Sequence, residues 1–382
     1  MPADEKNNSF TFISSPAGVE EFVRSLNDSR SIALDTEGAS FHRYVDRVYL
    51  IQLSVRHGSA IIDPLAMGTP PGLGDVLENP DVEVVLHDAD YDLRLLHQDY
   101  GWSVRRVFDT RVAAQLLGIR SFGLGALLQR FFGVVLDKKH QRADWSMRPL
   151  TPAMLEYAAL DTSYLLDLRD ELARALDQLG RTSWAEEEFK RIEGTKWEPE
   201  TADEAFLRIK GARDLTRPQL SVLREIARWR DKIASELDRA VFRVIGNEPL
   251  LAIAQSTATS LDELTKIKGV PRGIAEKRGD ELLSAIERGR GTPPDKMPRF
   301  PRPKRFEKDS GFEERVARLR AARESAAQRL ELDPGVLCSR ERLEAIARRG
   351  PVTLAELAEV DGLRQWQVGE LGEDFLRALS RK

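Results

Sequence analysis

The sequence predicts an α/β domain, a mixed sheet with flanking helices, followed by two small all-α helical domains. Three observations carry this. Over residues 31–100 short apolar runs alternate with helical patterns, from about residue 205 only helical periodicity remains, and the helical part repeats itself. At 382 residues the chain exceeds what one core organises, so two or three domains are expected.

The elements follow in order. "SIALDT" (31–36) reads as a strand, and "RVYLIQLSV" (47–55) and "GSAIIDP" (58–64) as two more joined near His57-Gly58. "VEVVLHD" (82–88) is a fourth, running into a helix through "DYDLRLLHQDY" (90–100). "DTRVAAQLLG" (109–118) and "GLGALLQRFFG" (123–133) are short helices, each closed by Gly. Thr151-Pro152, an N-cap with Pro in the first turn, opens one long helix running to Gly180.

In the C-terminal half a shift of 93 positions lays "LAIAQ" (251–255) on "EAIAR" (344–348) without a gap. The same shift lays Glu263-Leu264 on Glu356-Leu357, Gly269 on Gly362, and "GDELLSAI" (279–286) on "GEDFLRAL" (372–379). Domains are therefore expected at 1–204, 208–292 and 310–382. The Pro- and Lys/Arg-rich stretch 293–309 is expected to be an extended basic linker.

Composition narrows the classes. No apolar run reaches the ~18 residues of a membrane span, and "MPADEKNNSF" lacks the basic start and apolar core of a secretory signal. A single cysteine, Cys338, excludes a disulfide framework and a Cys-rich zinc site, and is expected to be a small buried apolar residue. A cytoplasmic location follows as the expectation, with no obligate protein partner implied. The net charge of −4 hides an asymmetry: residues 1–200 carry 22 Lys+Arg against 32 Asp+Glu, and residues 201–382 carry 36 against 30. An acidic half suited to cations joined to a basic half suited to a polyanion points toward nucleic acid.

The candidate chemistry lies in three carboxylate motifs. Asp35 and Glu37 project from one face of a strand end, where two desolvated carboxylates require a positive partner such as a divalent cation. Asp88, Asp90 and Asp92 crowd the start of a helix, with Asp88 or Asp90 suited to an N-cap. Tyr157 and Asp161 stand one turn apart on a helix face. Each motif alone is explained by exposed strand-end or helix-surface residues; their combination and order are more specific.

In this combination the chain resembles the DEDD exonucleases, in the variant with a tyrosine in the last motif. The sister variant has a histidine five residues before the final Asp, where Glu156 stands here. "LDTEGASFHRYVDRVYLIQLS" and "LDKKHQRADWSMRPLTPAMLEYAALDTSYLLDL" are similar to the ribonuclease D family, and the helical repeats resemble its HRDC modules. The resemblance covers nearly the whole chain. It implies a ribonuclease H-like mixed sheet in which Asp35, Glu37, Asp92 and Asp161 hold two Mg²⁺ or Mn²⁺ ions ~4 Å apart. Tyr157 would orient the attacking water. Trimming of RNA 3′ ends, such as those of tRNA precursors, would release nucleoside 5′-monophosphates. Lys138, Gln141, Asp144 and Trp145 would border the substrate strand, with Trp145 offering a stacking face. Arg224, Arg228, Arg230, Lys232 and Arg239 are candidates for phosphate contacts, His42 for a place near the strand-end site, and Trp229 for the helical core. A DNA exonuclease of the same superfamily and a catalytically silent RNA-binding scaffold remain as alternatives.

Overall fold

The computed structural model describes residues 10–26, 29–137, 139–199, 204–301 and 311–380. Six strands form one sheet: β1 (Phe10–Ile13), β2 (Ser31–Glu37), β3 (Leu50–Val55), β4 (Gly58–Ile62), β5 (Glu83–Leu86) and β6 (Val107–Asp109), in the order β1-β4-β3-β2-β5-β6. β3 alone runs against its neighbours, paired antiparallel to β2 and β4; the β1–β4, β2–β5 and β5–β6 pairs are parallel. The expected mixed sheet is present. β1 and β6, four and three residues long, were not legible as strands because so short a run has no periodicity to detect.

Eight helices belong to this part among the described residues: α1 (Pro16–Ser25), α2 (Leu73–Leu77), α3 (Asp90–Tyr100), α4 (Thr110–Leu116), α5 (Leu124–Phe132), α6 (Pro152–Ser163), α7 (Leu165–Gln178) and α8 (Thr182–Ile192). They cover both sheet faces. Ile32, Leu34, Ile51, Leu53, Val84 and Leu86 point to one face and meet Val19, Leu73, Leu93 and Leu96 of α1–α3. Ala33, Val85 and Phe108 point to the other and meet α4, α7 and α8, while Leu50 and Ile61 meet α6. Each fully buried Leu or Ile contributes about 1.5–3 kcal/mol relative to exposure, so burial on both faces fixes strand register.

The expected single helix 152–180 is broken at Tyr164, which sits at φ −106°, ψ −3° between α6 and α7. Two causes act there. The Ser163 hydroxyl donates back to the Ala159 carbonyl at 2.5 Å, which bends helices, and the Tyr164 ring is buried against Phe132 at 5.8 Å between centroids.

Among the described residues the remaining chain forms two five-helix units. The first comprises α9 (Arg217–Glu236), α10 (Val241–Val244), α11 (Asn247–Gln255), α12 (Leu261–Thr265) and α13 (Arg272–Arg290). The second comprises α14 (Phe312–Leu330), α15 (Pro334–Leu337), α16 (Arg340–Arg349), α17 (Leu354–Ala358) and α18 (Gln365–Ser380). The repeat extends to backbone detail. Asp238 and Glu331, one shift apart, both take left-handed conformations (φ 44° and 54°), as do Gly269 and Gly362. Gly279 packs on Leu261 and its counterpart Gly372 on Leu354, where a Cβ would collide in both units. Trp229 and Cys338 are buried as expected. The stretch 293–301 is not extended: Arg217 donates to the Pro294 carbonyl at 2.6 Å, and Arg213 lies 4.8 Å over the Phe300 ring. The rest of the expected linker lies outside the described residues, as do the chain's first nine residues.

The two units dock differently. In the first, Asp238 accepts from Arg43 (3.1 Å) and from the Tyr44 amide (3.3 Å), and the Ala240 amide donates to the His42 carbonyl (3.2 Å). It therefore sits on the loop that leaves β2. The second packs on α4 and α8: Trp366 stacks on Trp184 at 4.8 Å, and Glu187 accepts from the Gln365 and Trp366 amides (2.7 and 3.0 Å) at the start of α18.

Candidate active site

β2 ends where its last residues project past the β5 pairing, which stops at Ala33↔Val85. Alternation puts Asp35 and Glu37 on the face covered by α6, and α6 returns Asp161 to the same point. One carboxylate oxygen from each of the three lies within 4.8 Å of the others, a cluster that can hold a metal ion. Tyr157, one turn earlier, hydrogen-bonds Asp161, and its ring lies 6.1 Å from Trp145 and 5.9 Å from His140.

Asp92 arrives from the opposite face. It sits in the first turn of α3, only 4% exposed, and its Oδ1 accepts from the Thr36 amide (3.0 Å) and the Thr36 hydroxyl (2.5 Å). The residue between the two acids of β2 thus locks the third acid to the strand. The expected N-cap at Asp88 or Asp90 is not formed: Asp88 is left-handed (φ 65°) and pairs with Arg111, and Asp90 pairs with Arg94 at 2.8 Å. Asp109 serves instead, accepting from the Asp88 and Ala89 amides (3.2 and 2.9 Å) before α3 and from the Arg111 amide (2.8 Å) at the start of α4. No sequence signal separated it from the nearer aspartates, because the contact spans some twenty residues.

Burial pushes the Asp35 carboxyl well above the usual range, and the Asp161 charge adds to it. Glu37 is raised by burial and then by Asp35, Asp161 and Asp92; Asp92 is raised by burial and then by Asp35. Asp161 is pushed up to about 7, chiefly by burial and also by Asp92, against the Tyr157 hydrogen bond that lowers it. Tyr157 is raised by burial and by the three acids facing it. Carboxylates so placed ionise together only when cations neutralise them, and hard, all-oxygen donors suit Mg²⁺ or Mn²⁺.

The residues expected to border the substrate divide. Trp145 is 1% exposed, packed among Ala39, Tyr49, Leu50 and Ala158, so it offers no stacking face; it supports the Tyr157 ring instead. Arg148 explains this burial, since it joins the Trp145 carbonyl (2.8 Å) to both oxygens of Asp63 (2.6 and 2.7 Å) and the Tyr49 carbonyl (2.8 Å). Asp144 accepts from Ser146, and lies 3.6 Å from His42 and 3.9 Å from Arg43, bracing the loop after β2. His42 also meets the Arg142 carbonyl at 3.0 Å, so its contacts are with the segment expected to border the substrate. Gln141 is exposed on that segment, and Lys138 lies outside the described residues. Of the α9 cations, Arg230 is buried and donates to the Asn247 side chain (2.8 Å), and Arg224 and Arg228 pair with Glu225. Arg230 is thereby spent on structure, while Arg228 stays exposed; Lys232 pairs with Glu236 at 3.6 Å, and Arg239, beyond the end of α9, is exposed.

Sequence reasoning missed three supporting groups besides Asp109. Thr36 locks Asp92. Asp46 holds the loop after β2, accepting from the Ala39 amide (2.8 Å) and the Tyr91 hydroxyl (2.6 Å), and a Cβ at Gly38 would run into that hydroxyl. Gln52, opposite Asp35, is buried without a partner for either end of its amide.

An acidic cluster at the free end of a central strand, closed by a helix carrying Tyr and Asp, defines the 3′-5′ exonuclease class, and the profile of that family matches residues 10–177. HRDC domain profiles match residues 219–286 and 312–379. The chain belongs to the ribonuclease D family. It is 30% identical to the ribonuclease D of Granulibacter bethesdensis over 96% of this chain and 91% of that one, and 32% identical to that of Escherichia coli over 70% and 72%. The crystal structure of Escherichia coli RNase D, an exoribonuclease involved in structured RNA processing, superposes with a TM-score of 0.73 at 26% identity, covering 97% and 98% of the two chains. This chain is accordingly a 3′-5′ exoribonuclease. No helix among the described residues is long and apolar enough to cross a membrane.

Proposed function

We propose that this exoribonuclease trims the 3′ ends of structured RNAs such as tRNA precursors in the cytoplasm, releasing nucleoside 5′-monophosphates, with two divalent cations, Mg²⁺ or Mn²⁺, held by Asp35, Glu37, Asp92 and Asp161. The observation that carries it is the partly buried cluster of Asp35, Glu37 and Asp161 with their oxygens within 4.8 Å, beside an Asp92 fixed by Thr36. Asp35, Glu37, Asp92 and Asp161 would hold the cations, which would supply Lewis-acid activation of water and charge neutralisation at the leaving oxygen.

The chain's own residues do the rest. Tyr157, held by Asp161 and by the Trp145 ring, presents its hydroxyl to orient the attacking water. Its raised pKa keeps it protonated, so its one proton goes to Asp161 and its oxygen is left to accept from the attacking water. Partial burial of the acids strengthens the electrostatic interactions made there. Residues 1–204 carry the chemistry, while 208–292 hold RNA. The first helical unit supports this division, because it is bound to the loop after β2. There Phe41 and Phe242, 43% and 48% exposed, meet edge to face at 6.1 Å, with the Arg142 guanidinium 5.0 Å over Phe41. Exposed rings flanked by cations are suited to unpaired bases.

The test is a time course on a 5′-labelled tRNA with a single-stranded 3′ extension, in Mg²⁺, Mn²⁺ or EDTA, beside DNA of the tail sequence and the Asp35→Ala variant. A ladder shortening from the 3′ end, abolished by EDTA and by the substitution and weak on DNA, is the expected result. Equal digestion of DNA would overturn the substrate, and digestion in EDTA would overturn the metal site.

A further inference from the structure

Gln52 lies opposite Asp35 in the antiparallel β2–β3 pair and opposite Ile61 on its other side. Its side chain therefore projects from the sheet face that carries Asp35 and Glu37, beneath α6. It is 0% exposed, and neither Nε2 nor Oε1 has a hydrogen-bond partner; among the described residues no other side chain has two buried polar atoms left so.

A buried amide with both ends unsatisfied is costly, and an apolar residue of similar size would pack there against Ile61 and α6 without that cost. The neighbours show why a partner is needed at this point. Ser54, two residues along on the same face, bonds Thr162 of α6 at 2.7 Å, so helix and sheet are in direct contact beside Gln52. Ala158 and Ala159, 0% and 2% exposed, are the small side chains α6 buries over this face, and Asp161 directly precedes Thr162. The carboxamide thus stands between the strand bearing Asp35 and the helix bearing Asp161.

Building on the cation site proposed above, we infer that Gln52 is a positioning residue: in the loaded site its Nε2–H donates to the Asp35 carboxylate, holding one oxygen so that the other faces the ion. Ligand carboxylates are commonly oriented by such a donor, and removing it typically weakens metal affinity 10–100-fold. A neutral amide suits the position. An ammonium would compete with the cation for Asp35, and an acid would add another charge to a cluster already repelling itself.

The experiment is calorimetric titration of Mn²⁺ into the full chain, wild type beside Gln52→Leu and Gln52→Met, with melting curves in EDTA and steady-state kinetics on RNA. Both variants are expected to melt in EDTA at or above the wild-type temperature, to bind Mn²⁺ about 10–100-fold more weakly, and to keep KM for RNA while kcat recovers as Mn²⁺ is raised. Wild-type Mn²⁺ affinity in both variants overturns the inference and leaves the cation site standing. A large loss of melting temperature in EDTA in both also overturns it, making Gln52 a core-packing residue. Absence of Mn²⁺ binding by the wild type overturns the cation site and this contact together.

Discussion

Replacing Asp161 by Asn keeps its shape and removes one charge from the cluster, so the free energy stored there can be read directly. The Asp161 carboxyl is held near 7 against an ordinary 3.8. A gap of about 3 pH units corresponds to about 4 kcal/mol at 1.36 kcal/mol per unit, a ceiling for one member of a coupled set. The sign follows from proton linkage. The folded metal-free protein binds this proton more tightly than the unfolded chain, so the penalty is absent below about pH 4, builds as pH rises toward 7 and is complete above it. In EDTA, Asp161→Asn is therefore expected to be more stable than wild type at pH 8 and indistinguishable from it at pH 4. Mn²⁺ at pH 8 narrows the gap, because a ligand at 100 times its dissociation constant stabilises the wild type by about 2.7 kcal/mol, less than the ceiling of about 4 kcal/mol, while the variant, which has lost a ligand, gains less. Thermal melts of both proteins at pH 4, 6 and 8, with EDTA or Mn²⁺, test this. A variant less stable than wild type at pH 8 in EDTA would refute the reasoning, since Asp161 would then be paired with a positive group and not strained by its neighbours.

Other outcomes follow from the same geometry. Asp35→Ala is expected to lower kcat by about 10³-fold or more while leaving the melting temperature in EDTA unchanged or raised, several kcal/mol of transition-state stabilisation being lost; an active variant would remove Asp35 from the site. Tyr157→Phe should lower kcat about 10²-fold and, since the hydroxyl also bonds Asp161, weaken Mn²⁺ binding; a kcat fully restored at saturating Mn²⁺ would show that the hydroxyl serves the ion and not the water. Phe242→Ala should raise KM about tenfold for RNA with an unpaired 3′ tail and spare kcat; an unchanged KM would place the strand elsewhere. Gly38→Ala should break the Asp46–Tyr91 clasp and lower activity without loss of the helical units, as circular dichroism and activity measured together would reveal.

The fold and site were legible wherever the determinants are local. Strand alternation placed Asp35 and Glu37 together, one helical turn placed Tyr157 with Asp161, and the 93-position repeat delivered two helical units alike down to a shared left-handed corner at Asp238 and Glu331. Legibility failed where a residue's role depends on a partner distant in the chain. A tryptophan next to a basic segment reads as a stacking surface until Arg148, joined to Asp63 and Tyr49, draws it inward. A helix pattern continuing to Gly180 conceals the break made by the burial of Tyr164.

The sequence by itself determined the repeating periods, the acids that share a face and the order of motifs, because each follows from backbone geometry over a few residues. Only the tertiary structure decided that Thr36 holds Asp92 across 56 residues, that Asp109 holds the amides before the helix that Asp88 or Asp90 was expected to cap, and that Gln52 waits unpaired beside Asp35. It also decided that two nearly identical helical units take different places, one on the loop beside the acids and one on α4 and α8. A repeat specifies its own core, and its placement is set by the surface it meets: Arg43 and Tyr44 for the first unit, Trp184 and Glu187 for the second.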